Sequence, residues 1–101
     1  MRKSVFTIDE IKAVIIPIAR EYGVRRIALF GSYANGHATP QSDIDLHLID
    51  TIDAWGYFKL CGFQHELEKR LGVSVDVLTT GAMDRQVREA VQRNEVLIFE
   101  Q

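Results

Sequence analysis

One cysteine, Cys61, occurs in the 101 residues, so no disulfide can form within the chain and a stapled secreted scaffold is excluded. A lone thiol between Leu60 and Gly62 reads as a small core residue, and the composition suits a reducing, cytoplasmic setting. Basic residues are in slight deficit: 12 Lys and Arg stand against 14 Asp and Glu, a formal charge of −2. A general nucleic-acid binder wants a basic excess, so direct nucleic-acid binding is not expected. Long apolar runs are missing too. No segment approaches the roughly 20 residues of a membrane helix, and the opening MRKSVFTIDE meets acids too soon for a signal peptide. Repeats, low-complexity stretches and interdomain linkers are absent, so residues 1–101 read as a single domain. With 47% hydrophobic residues, that domain can bury a core.

What is present follows helix and strand periods. Thr7 and Glu10 form a capping-box pair ahead of Ile8, Ile11, Ile15, Ile18 and Tyr22, which recur at helical spacing until Gly23. Pro17 inside this pattern is expected to kink the helix or break its last turn. Val24 to Phe30 reads as a buried strand. Gly31 to Ser42 is rich in turn residues, with room for a short helix from Ser32. Asp43 to Ile49 is a second strand. Trp55 to Leu71 is a second long helix whose apolar side is expected to hold Phe58, Leu60, Cys61, Leu67 and Leu71. Trp55, Tyr57 and Phe58 are expected to pack in the core, Asp50 to edge a loop and Asp53 to cap the helix. Val73 to Leu78 is a third strand, Ala82 to Asn94 a third long helix and Val96 to Phe99 a last strand. The order α-β-β-α-β-α-β predicts an α/β (α+β) fold, a small mixed β-sheet packed with helices. The long connection between the first two strands exceeds about 12 residues, a length that tends to carry function.

Two acids interrupt the second strand. Alternation along a strand puts Asp43, Asp45 and His47 on one side and Ile44, Leu46 and Leu48 on the other, with the two carboxylates roughly 7 Å apart at their β-carbons. Like charges at that distance repel unless a cation lies between them. Oxygen donors of this kind suit Mg²⁺, which takes one or two carboxylates plus substrate phosphates. Two such ions about 4 Å apart can hold the attacking and leaving oxygens of a nucleotidyl displacement. Asp76 breaks a β-branched strand, where an unpaired charge is costly, and supplies a third acid if that strand lies beside the second. Upstream, Gly31 lets a phosphate approach the backbone and Ser32 adds a hydroxyl. His47 is read as a polar face position or as a contact to an acceptor or phosphate. Tyr33 is read as a packed loop aromatic or as a platform for a base. Arg25 and Arg26, and Arg85, Arg88 and Arg93 on the last helix, are read as solvated.

Leu29-Phe30-Gly31-Ser32-Tyr33-Ala34, Ser42-Asp43-Ile44-Asp45-Leu46, Val75-Asp76-Val77-Leu78 and the ending Glu95-Val96-Leu97-Ile98-Phe99-Glu100 together resemble the nucleotidyltransferase superfamily that shares its catalytic core with DNA polymerase beta. More narrowly they are similar to the minimal nucleotidyltransferases (MNT). The resemblance implies the polymerase beta-like fold and transfer of a nucleoside monophosphate from an NTP, most often ATP, with two Mg²⁺ ions. By the same resemblance Gly31 and Ser32 bind the nucleotide, while Asp43, Asp45 and Asp76 bind the metals and are catalytic, Asp76 helping to deprotonate the acceptor. It further implies an antitoxin that adenylylates (AMPylates) a tyrosine of a partner HEPN toxin. The chain departs from the family at Tyr33, where Arg often stands, and at Asn35, where Arg or Lys often stands; those cations would neutralise phosphate.

Two classes of function follow: a protein adenylyltransferase, or a catalytically weak antitoxin that neutralises its toxin by stoichiometric binding. A small-molecule nucleotidyltransferase usually carries an extra acceptor domain, for which 101 residues leave little space. The same shortage points to a homodimer or hetero-oligomer.

Overall fold

In the computed structural model, which describes residues 5–49 and 56–101, the elements run α1 (Ile8–Tyr22), β1 (Arg26–Phe30), α2 (Ser32–Asn35), β2 (Ile44–Ile49), α3 (Tyr57–Leu71), β3 (Val75–Thr79), α4 (Arg85–Asn94) and β4 (Val96–Glu100). A 3₁₀ turn, Thr80–Ala82, separates β3 from α4. The strands form one sheet in the order β3-β2-β1-β4. β1 is antiparallel to both β2 and β4, whereas β2 and β3 run parallel. The expected mixed sheet and element order are therefore present, with α2 as the short helix at Ser32.

Local chemistry sets the element ends. Thr7 Oγ1 accepts from the Glu10 amide at 3.0 Å and Glu10 Oε1 accepts from the Thr7 amide at 2.8 Å, which closes the capping box and starts α1. Pro17 does not break the helix, which continues to Tyr22. At the other end of the chain Asp84, not Ala82, sets the start of α4: its Oδ1 accepts from the Val87 amide at 2.9 Å.

Alternation along the strands sorts the side chains onto two faces. Ile27 and Leu29 of β1, Ile44, Leu46 and Leu48 of β2, and Val75 and Val77 of β3 share the face that meets Ile11, Ile15 and Ile18 of α1 and Phe63, Leu67 and Leu71 of α3. All are buried. Phe63, Leu67 and Leu71 recur at intervals of four, one helical stripe. Phe58 lies five residues from Phe63, about 140° around the helix, and so falls off that stripe. It is 88% exposed and Tyr57 76% exposed, which corrects the expectation that both pack in the core. Asp50, Asp53 and Trp55 lie outside the described residues.

The opposite face of the sheet carries Ala28, Asp45, His47, Asp76 and Leu78. The connection from β3 to β4 joins the two edges of the sheet and so must pass β2 and β1. Ala28 and His47, on this face, are both buried. Among the described residues no helix is long and apolar enough to cross a membrane.

Candidate active site

β-pairing alone brings the sequence-predicted residues together. Asp45 is the Cα partner of Phe30 in β1 on one side and of Asp76 in β3 on the other. Paired residues in a ladder point to the same face, so the carboxyls of Asp45 and Asp76 stand side by side. Gly31 follows Phe30 directly, and its backbone is packed against the Asp45 carboxylate: a methyl group built on Gly31 would overlap that side chain. Gly31 also has φ 73° and ψ −151°, a backbone region reserved almost entirely for glycine. Ser32, half-buried, opens α2 immediately after it. Asp43 is exposed and stands one residue ahead of β2, not inside the strand as expected. The loop before it is held by its own side chains, with Ser42 Oγ accepting from the Thr39 amide at 2.8 Å.

The electrostatics single out Asp45. Its half-buried carboxyl is pushed up to about 6, first by burial, then by the neighbouring charge of Asp76 and a hydrogen bond to it, and last by the charge of Asp43. Asp76 itself is exposed on the edge strand, so its placement carries none of the burial cost expected for a charge inside a β-branched run. No group of three acids, histidines or cysteines stands close enough to hold a metal ion as arranged, among the described residues. The donor chemistry of the Asp45–Asp76 pair nevertheless fits Mg²⁺, which is commonly held by one or two carboxylates and completed by substrate phosphates.

The sequence pattern of the nucleotidyltransferase domain family matches residues 12–98, which contain all five site residues. The chain belongs to that family. Among relatives of this nucleotidyltransferase, a Methanocaldococcus jannaschii protein with the provisional name protein adenylyltransferase is 42% identical over 89 residues, covering 83% of this chain and 95% of its own. The protein adenylyltransferase MntA of Thermococcus cleftensis is 29% identical and covers 94% and 99% of the two chains. The fold matches, with a TM-score of 0.72 and 19% identity, a chain of the complex between a tri-AMPylated Shewanella oneidensis HEPN toxin and MNT antitoxin; 93% of this chain and 73% of that one are covered.

The expected readings of several other side chains hold in this nucleotidyltransferase, Arg88 excepted. Tyr33 is buried in the core, with its hydroxyl accepting from the Phe6 amide at 3.4 Å, so it is a packing residue and no platform for a base. Arg26 pairs at the surface with Glu100, and Arg85 with Glu89. Arg88 is half-buried with its Nε sealed from solvent and without a hydrogen-bond partner, unlike the solvated position expected.

His47 is neither a surface position nor an open contact for a ligand. It is 1% exposed, with Nδ1 at 2.8 Å from Glu95 Oε2 and Nε2 at 2.6 Å from Thr80 Oγ1. A carboxylate accepts, so Nδ1 donates to Glu95, and Nε2 shares its hydrogen bond with the Thr80 hydroxyl. Sequence reasoning missed both partners. They lie 33 and 48 residues downstream, and no local pattern links them to His47.

Proposed function

We propose that this nucleotidyltransferase is a protein adenylyltransferase and antitoxin, which moves AMP from ATP onto a tyrosine hydroxyl of a HEPN-type toxin. The observation that carries the reading is the flanking of Asp45 by Gly31, just past the end of β1, on one side and by Asp76 of β3 on the other. Two like charges forced together with one carboxyl pushed up to about 6 make an apoprotein site that is relieved by cation binding. In the proposal Asp45 and Asp76, with Asp43 as the further carboxylate, are the residues that would hold Mg²⁺, which when bound would offset the charge of the phosphates and of the leaving pyrophosphate. Gly31 and Ser32 cradle the triphosphate, the glycine because any side chain would collide with Asp45. A carboxylate oxygen of Asp76, exposed at the sheet edge, accepts the proton of the incoming hydroxyl. The names of the relatives and the AMPylated toxin in the matching complex support both the adenylyl group and the HEPN partner. In the hetero-complex the partner brings the acceptor hydroxyl to this site.

The test is incubation with labelled ATP, Mg²⁺ and the HEPN protein encoded beside it. Label is expected on a tyrosine of the partner and is expected to vanish with Asp43→Ala or Asp45→Ala. A partner that stays unlabelled, although it binds, would overturn the reading.

One observation favours a second reading, neutralisation by contact. Tyr33 is committed to the core and Asn35 is neutral, so the cations common at these family positions have no counterpart here. If contact alone suffices, the folded double variant Asp43→Asn, Asp45→Asn still protects cells from the toxin.

A further inference from the structure

Three residues distant in the chain meet on the buried part of the acidic face. His47 lies two positions beyond Asp45 on the same side of β2. Thr80 is the first residue past the β2–β3 ladder, which runs from Ile44↔Val75 to Leu48↔Thr79. Glu95 stands between α4 and β4. One imidazole thus ties both ends of the β3–β4 connection to the middle of the sheet, through contacts of 2.6 and 2.8 Å.

We propose that the His47–Thr80–Glu95 clamp is a positioning device for the acidic pair, and that His47 is a positioning residue that keeps Asp76 opposite Asp45. The proposal rests on the metal-dependent transfer proposed above. β3 is an edge strand whose only strand neighbour among the described residues is β2, and at its start the Val75 amide also donates to Glu68 Oε2 at 3.0 Å. At its start Asp76 is pressed against a like charge, which favours separation of the two strands. A slip of one residue would turn Asp76 to the core face and Val77 to the acidic one. The Thr80 tie opposes that slip from the far end of the same strand. Glu95 gives it direction: by accepting from Nδ1 it fixes the ring so that Nε2 faces the Thr80 hydroxyl. Hydroxyl, imidazole and carboxylate also follow one another in activated nucleophiles. Here the imidazole is sealed from solvent, which suits a structural tie and leaves no access for a substrate.

Thr80→Val keeps the shape and removes the hydroxyl, Thr80→Ser keeps the hydroxyl, and Ile18→Val loosens α1 on the opposite face of the sheet. Hydrogen exchange of the β3 amides and Mg²⁺ affinity, by calorimetry with a non-hydrolysable ATP analogue, are measured for each. Thr80→Val is expected to speed exchange at 76–79 and to weaken Mg²⁺ about tenfold, the loss usual for partners just outside a metal's ligands. In transfer assays at fixed Mg²⁺, kcat is expected to fall while KM for ATP holds. Thr80→Ser should behave as wild type, and Ile18→Val should lose stability without moving Mg²⁺ affinity. The proposal is overturned if Thr80→Val matches wild type in both readouts, if Thr80→Ser fails as Val does, or if Ile18→Val weakens Mg²⁺ equally. Absence of Mg²⁺ binding by wild type would instead sink the proposed function; the exchange of β3 amides, unchanged or accelerated, would still decide the clamp.

Discussion

Asp45 and His47 stand two residues apart on one face of one strand, and their surroundings are opposite. His47 is buried with a partner on each ring nitrogen, a satisfied polar group that knits β2 to the β3–β4 connection. Asp45 is half-buried beside a second acid, and its carboxyl is pushed upward by burial and by that neighbour. One position is arranged for the fold and the other against it. A polar pair completed within the chain stabilises the apoprotein, whereas a like-charged pair makes sense only when something outside the chain completes it. Replacing Asp45 should therefore leave stability unchanged or raise it, whereas replacing His47 should lower it.

The largest expected effect comes from the acids. Asp45→Asn or Asp76→Asn should lower transfer by roughly 10³-fold or more, since several kcal/mol of charge stabilisation at the metal are lost. The folded apoprotein should be as stable as wild type or more so, because the repulsion is relieved. Single-turnover rates and thermal melts without Mg²⁺ check both halves. A variant that loses activity and melts early would mean that Asp45 belongs with His47, as a structural group.

Gly31→Ala tests the boundary between the two roles and should cost less. The added methyl meets the Asp45 carboxylate, and φ 73° is strained for any side chain, a cost of about 1–3 kcal/mol. Activity should drop with stability, because the collision displaces the acid. Pairing Gly31→Ala with Asp45→Gly, which removes that clash, should recover part of the stability and none of the activity. Denaturant unfolding of the two variants is the measurement.

The local half of this arrangement was legible in the sequence. The capping box at Thr7 and Glu10, the Ile8–Tyr22 spacing and the Gly-Ser step before Asp-x-Asp each depend on residues a few positions apart. The parallel pairing of Asp45 with Asp76 was a condition the sequence reading had to assume, because nothing in local spacing states which strands are neighbours. His47 was misjudged for the same reason: alternation put it on the acidic side, but only the path of the β3–β4 connection decides that this side is covered there. Phe58 was misjudged differently. It is apolar, yet the core stripe is set by Phe63, Leu67 and Leu71, and composition cannot separate a core residue from one on the opposite side of the same helix.

The smallest effect is a pH dependence, and it sharpens the contrast most directly. Asp45 has an ordinary carboxyl value of 3.8 when unfolded and about 6 when folded. The folded state thus binds its proton more tightly, so the stabilisation is fully present below about pH 3.8 and is lost as pH rises through about 6. Two units correspond to about 3 kcal/mol as a ceiling, and solvent screening of a half-exposed group reduces that to about 1 kcal/mol. Other carboxylates titrate in the same range, so the useful quantity is the difference between wild type and Asp45→Asn. That difference should be small near pH 4 and should grow to about 1 kcal/mol in favour of Asp45→Asn near pH 8. Mg²⁺ with nucleotide should cancel the gap at the higher pH by giving the ionised pair its cation. If the gap is flat across pH, Asp45 and Asp76 do not repel in solution, and the reason for treating this end of β2 as a place built for a ligand disappears.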